Sequence, residues 1–231
     1  MKWQEVRVTR GSTYIALAYA VIKFIEGIAE TEEELWQSKV PAYLLDPVNG
    51  TREAFGSGVV KVYVPGVGHE SDTVSVAGRR LTLEVDGSER GLVDVGHLYS
   101  SAYRGAIGLD RDLAVGLAGE TTLSGIEYML IYDEEGGLTL LEGERLRVRI
   151  PRVRAVMTLH THPEGHCGMS DKDVASAIDL LTEGGLASGS VTPSCAAVLY
   201  RYGLVDEEEY VAFRSGKLEE GRTIRAALLR L

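Results

Sequence analysis

"LHTHPEGHCGMSDKD", residues 159–173, places three of the chain's five histidines within seven positions and follows them with two aspartates. The run before it, "RVRAVMTLH" (152–160), is apolar on both faces toward its end, as a central strand should be. Side chains two apart on a strand share a face, so His160 and His162 project together where this strand ends. Pro163 stops the ladder, and a glycine-containing loop leads to Ser170. There Ser170-Asp171-Lys172-Asp173 matches the S-x-x-[DE] capping pattern of a helix that runs to about Glu183 and is stopped by Gly184 and Gly185. Helical side chains tilt toward the N-terminus, so the Asp173 carboxylate leans back toward the two imidazoles. Two nitrogens and one carboxylate suit Zn²⁺, whose catalytic sites keep a fourth position for water. Each half has a plainer reading, since a capping box needs no metal and two same-face histidines can simply be hydrogen-bonded. Their combination at this spacing favours the metal.

Outward from this segment, alternating apolar runs predict strands at "IEYMLIYD" (126–133) and "LTLLEG" (138–143), joined by the turn "EEGG". Further strands are expected at "RLRVRIP" (145–151), "SCAAVLYRYG" (194–203) and "EYVAFRSG" (209–216), and a closing helix over "KLEEGRTIRAALLRL" (217–231). Residues 97–124 have helical character, weakened by four glycines. This unit begins near Gly91.

Residues 1–92 read as a separate small α+β domain. "WQEVRVTR" alternates like a strand, and a helix capped by Ser12 or Thr13 extends to about Glu30. Thr31 with Glu34 opens a short second helix. Pro41 to Gly58 looks like loop, and "VVKVYV", "TVSVA" and "RLTLEVD" suggest a small antiparallel sheet. No chemical constellation stands out here, and His69 reads as a loop residue.

The 34 acidic and 24 basic residues give a net charge of −10, which argues against nucleic acid or an anionic membrane as partner. The apolar run Tyr14 to Ile22 is interrupted by Lys23 and Glu26, short of the about 20 residues a membrane span needs. A poor cleavage site follows it, so a cytoplasmic protein is expected. The two cysteines, Cys167 and Cys195, form no CxxC; they could pair in one disulfide or stay as two buried thiols.

The segment "HTHPEGHCGMSDKD" resembles the JAMM (MPN-plus) metalloprotease motif, H-[ST]-H-P-x6-S-x-x-D, with His160, Thr161, His162, Pro163, Ser170 and Asp173 filling every defining position. The resemblance spans roughly residues 95–215. It implies an α/β fold for 93–231, a central mixed sheet flanked by helices in a cytidine-deaminase-like layout, preceded by the N-terminal domain. It further implies that His160, His162 and Asp173 bind Zn²⁺, that Ser170 helps hold a tetrahedral intermediate, and that an upstream glutamate acts on water. In the family that glutamate opens a hydrophobic strand ahead of a hairpin. Glu127, directly before "YMLIY", occupies this place; Glu120 is the rival, with Glu142 and Glu144 behind them. His166 reads as a loop residue, although a fourth ligand or substrate contact stays open. Cys167 as a ligand would fill the coordination position that hydrolysis needs.

The expected activity is that of a zinc isopeptidase or peptidase cleaving at the C-terminus of a ubiquitin-like modifier. Two alternatives are a peptidase trimming a ubiquitin-fold sulfur-carrier protein and a non-catalytic MPN scaffold. An extended tail could add as a strand to a sheet edge beside the metal. Nothing in the sequence fixes the oligomeric state.

Overall fold

The chain is described by a computed structural model at residues 2–88, 90–143, 154–165, 167–215 and 223–231. It is a mixed α/β fold built on one seven-stranded sheet. The strands in chain order are β1 (Lys2–Arg7), β2 (Lys39–Pro41), β3 (Val59–Val62), β4 (Ser71–Val76), β5 (Arg79–Val85), β6 (Leu92–Asp94), β7 (Tyr128–Asp133), β8 (Leu138–Glu142), β9 (Ala155–Thr161), β10 (Ala187–Val191), β11 (Cys195–Arg201) and β12 (Ile224–Arg230). The helices are α1 (Arg10–Ile28), α2 (Glu32–Gln37), α3 (Pro47–Ser57), α4 (Val95–Leu109), α5 (Arg111–Ser124), α6 (Asp171–Thr182) and α7 (Glu207–Arg214). The large sheet has the order β1-β8-β7-β9-β10-β11-β12, antiparallel throughout except where β9 and β10 run parallel. That parallel pair requires a crossover, which α6 supplies.

The main core includes Leu130, Tyr132, Met157 and Leu159 from the sheet together with Ile15, Val21, Tyr99 and Ala106 from α1 and α4. A smaller cluster joins Ile178 and Leu181 of α6 to Phe213 of α7 and Ile224 of β12. Thus α1 and α4 cover one face of the sheet, and α6 and α7 cover the other.

The boundary expected at residue 92 is not a seam of this fold. β1 pairs with β8 as an edge of the large sheet, β2 pairs with β6 across the boundary, and α1 shares one core with α4. Sequence proximity hides this, because the contacts are long-range. α1 also revises the reading of its apolar run: by length and composition it is long enough to cross a membrane. Its residues from Ile15 to Ile25 are nevertheless largely buried in the core.

Other expectations change for local reasons. Pro41 to Gly58 is no loop, because Asp46 caps α3 through the amides of Val48 and Asn49 and Pro47 fills its first position, where no amide is needed. "EYVAFRSG" belongs to α7, capped by Asp206 onto the Glu209 amide. Residues 224–230, expected in a helix, form β12, because pairing with β11 over seven aligned positions overrides helix propensity. The small sheet is mixed, with β3 parallel to β5. The strand expected at 145–151, Glu144 and His166 lie outside the described residues.

The β4–β5 hairpin turns on Ala77 and Gly78, both left-handed at φ 51° and 71°. Such two-residue turns demand positive φ at both positions, and only the second is a glycine. Here Ala77 is held by its amide, which donates to Glu135 O at 2.7 Å. Ala77→Gly should therefore raise stability by about 1 kcal/mol, the rough penalty for a left-handed alanine. Urea unfolding would read this directly; an equal or lower midpoint would mean that the greater unfolded-state freedom of glycine outweighs the strain.

Candidate metal centre

β9 delivers His160 at its end and His162 just beyond it, on one face of the sheet. The amide of His162 donates to Val191 O at 2.8 Å, so the chain keeps its strand geometry one residue past the ladder. Thr161 projects to the opposite face, where its hydroxyl meets that of Thr121 on α5 at 2.5 Å and accepts from the Tyr128 amide at 2.8 Å. This intervening threonine locks the strand end and with it the orientation of both imidazoles.

Across the following loop, Ser170 caps α6. Its hydroxyl accepts from the Asp173 amide at 3.3 Å, and its own amide and hydroxyl donate to Asp173 Oδ2 at 2.8 and 2.6 Å. The reciprocal cap fixes the carboxylate toward the histidines. His160 Nε2 and His162 Nε2 are 3.0 Å apart, His160 Nε2 lies 3.4 Å from Asp173 Oδ1, and His162 Nε2 lies 3.7 Å from Asp173 Oδ2. Two ligands about 2.1 Å from a tetrahedral zinc would be about 3.4 Å apart. The donor set therefore fits a single ion, and His160, His162 and Asp173 form a group able to hold a metal.

The electrostatics agree with that use. Burial and the neighbouring His160 lower the pKa of His162, against opposing effects of Glu127, Asp173 and the Gly168 backbone. The ring is thus neutral at pH 7, the form that binds metals. Burial alone would raise Asp173, but hydrogen bonds from His160 and Ser170 hold its carboxyl well below the usual range.

The rival glutamates separate by strand parity. β7 and β9 align Met129 with His160, so continuing the register sets Glu127 opposite His162 and on the same face. Glu127 is exposed, and its charge reaches the His162 ring. Glu120 sits on α5, on the Thr161 side of the sheet, where, besides burial, its carboxylate helps raise the pKa of Tyr128. Glu142 pairs with Tyr128, which also points away from the histidines.

The loop between His162 and α6 is pinned at several points. A disulfide joins Cys167 to Cys195 at the start of β11, with Cα atoms 6.1 Å apart, so Cys167 offers no thiolate ligand. Ser190 donates to Gly168 O at 2.8 Å, and Glu164 bonds Thr122 through its amide (2.9 Å) and Ser194 through its carboxylate (3.0 Å). Ser190 lies on β10, in "ASGSV", a strand that sequence patterning misses. The only local hint was its placement after a helix stop. His69 lies on another part of the chain, exposed in the segment between β3 and β4.

Comparisons with protein-family models, with curated proteins and with solved structures find no match to this chain.

Proposed function

We propose that the protein is a zinc-dependent peptidase of the JAMM type, hydrolysing a peptide or isopeptide bond at the C-terminus of a ubiquitin-like modifier. The observation that carries the reading is the convergence of His160, His162 and Asp173 with Glu127 on the same sheet face. The motif resemblance supplies the reaction class, and the substrate follows from it. A bound zinc ion would polarise the scissile carbonyl and make water a nucleophile near neutral pH.

The chain's own groups supply the rest. Glu127 takes a proton from the attacking water as the carbon–oxygen bond forms. It then delivers a proton to the leaving amine as the carbon–nitrogen bond breaks. Ser170 is the hydroxyl nearest the carboxylate ligand and is assigned to the developing oxyanion. Because Cys167 is committed to the disulfide, a zinc ion held by His160, His162 and Asp173 would stay open to water and substrate. That bond also bears on location. Disulfides persist mainly in oxidising compartments or in intracellular proteins of hyperthermophiles, so a cytoplasmic setting fits only the second case.

Metal analysis combined with cleavage of a ubiquitin-fold protein carrying a C-terminal extension tests this function. About one zinc per chain and chelator-sensitive cleavage are expected, with both lost in His162→Ala. Full zinc occupancy in that variant would overturn the ligand set. A zinc-loaded protein inert toward every such tail would leave the scaffold reading in its place.

A further inference from the structure

A concavity, about 680 Å³ in volume, lies between the start of α1, α3 and the tip of the β4–β5 hairpin. It is at the other end of the sheet from the metal centre. Ser12 of α1 donates to Gly136 O in the β7–β8 turn, which follows the end of β7 remote from Glu127. Three arginines line it, Arg10, Arg52 and Arg79, and no aspartate or glutamate does. In a chain of net charge −10 this local excess of positive charge stands out.

The three guanidinium groups are exposed, and none forms an ion pair among the described residues. The two carboxylates that feel Arg10 and Arg52 are already engaged. Asp110 accepts from Thr9 Oγ1 and the Gly11 amide, at 2.6 and 3.2 Å. Asp46 accepts from the amides of Val48 and Asn49 at 2.9 and 3.0 Å. Arg79 stacks over the Phe55 ring at 5.0 Å, which orders its fork in advance. The first turn of α1 carries its own capping box, so the charge of the pocket rests on the arginines.

Three unpaired forks around one hollow match a compact anion of more than one charge, since guanidinium binds phosphate oxygens in pairs. The volume falls in the range of about 300–1,000 Å³ typical of small-molecule sites and exceeds what a lone phosphate needs. Val8 and Val48, 64% and 38% exposed, add an apolar wall beside Phe55. We propose that this concavity binds a small phosphate-bearing organic molecule, its phosphates on Arg10, Arg52 and Arg79 and its organic body against Val8, Val48 and Phe55. A nucleic-acid polymer would meet the acidic remainder of the surface, which favours a small ligand. The site is made wholly from residues 8–79, the part of the chain outside the motif resemblance, and it does not rest on the proposed peptidase activity.

Calorimetric titration of the full chain with pyrophosphate and with ATP tests it. One molecule of either should bind per chain, ATP more tightly, with affinity falling as salt rises. In the double variant Arg52→Ser/Arg79→Ser, affinity should drop at least about tenfold, while the melting temperature falls by no more than about 3 °C, because both side chains are exposed and only the Arg79–Phe55 stacking is lost. Binding should be unchanged in His162→Ala, which separates this site from the metal centre. Absence of binding, equal binding in the double variant, or loss in His162→Ala would each overturn the proposal. No preference for ATP over pyrophosphate would overturn its organic half.

Discussion

Glu127→Gln is expected to retain zinc and to lose cleavage by about 10²- to 10⁴-fold, the usual contribution of a positioned acid–base group. The substitution keeps size and hydrogen-bonding atoms but removes the proton acceptor. Glu127 lies outside the ladder side chains that build the core, and its backbone carbonyl still accepts from the Gly143 amide at 2.8 Å. Folding should therefore be unaffected, and metal content should stay at the wild-type level. Glu120→Gln is the matched control. Its carboxylate lies across the sheet with Tyr128, so turnover should stay within a few fold of wild type. Single-turnover cleavage of a modifier fusion, run beside metal analysis, separates the outcomes. Near-normal cleavage in Glu127→Gln, or collapse in Glu120→Gln, would reverse the assignment of the base.

The largest loss of stability should come from Arg201→Met. Arg201 on β11 and Glu26 on α1 are each 2% exposed and form a direct ion pair. The guanidinium also donates to Gly185 O at 3.0 Å, Gly203 O at 3.0 Å and Gly184 O at 3.2 Å, and it lies over the Tyr99 ring at 5.5 Å. Tyr99 Oη donates to the same Glu26 oxygen at 2.5 Å. Breaking a buried pair of this kind leaves Glu26 with only the half-exposed Lys23, at 3.1 Å, as a charged partner and costs about 3–5 kcal/mol. For a chain of this size that corresponds to a melting shift on the order of 10 °C. The double substitution Glu26→Leu/Arg201→Met should recover part of the loss, because the buried, underpaired carboxylate is gone. It should not recover all of it, since the three glycine carbonyls still lack their donor. A single-variant loss below about 1 kcal/mol in urea unfolding would show that water reaches the pair.

What the sequence disclosed follows the range over which each interaction acts. The meeting of His160, His162 and Asp173 was readable because strand parity and a capping box are local rules, and Glu127 stood out as a candidate because it directly precedes an obvious strand. Placing Glu127 on the face of the histidines and Glu120 on the other needed the register of β7 on β9, which no local pattern encodes. α3 and α7 carried usable signals, Asp46-Pro47 and Asp206 followed by three glutamates, outweighed by glycine in one case and by alternating apolar residues in the other. β12 lacked even that, since "IRAALLR" is rich in good helix formers and becomes a strand only through β11. The union of residues 1–92 with the remainder was least legible. It depends on Glu26 meeting Arg201 and on Asp110 meeting Thr9 and Gly11, contacts between distant parts of the chain.

The Cys167–Cys195 bond makes residues 167–195 a covalently closed ring that contains Ser170, Asp173, all of α6 and all of β10. A peptide bond cut in the turn after α6 would divide the backbone into two fragments, yet both would remain one molecule. The longer fragment would keep both imidazoles and the carboxylate, while the shorter one, carrying β10, β11 and β12, would stay tethered as part of the sheet. Topologically, the chain is a loop with two tails, and the three groups that could hold a metal straddle the point where the loop is tied.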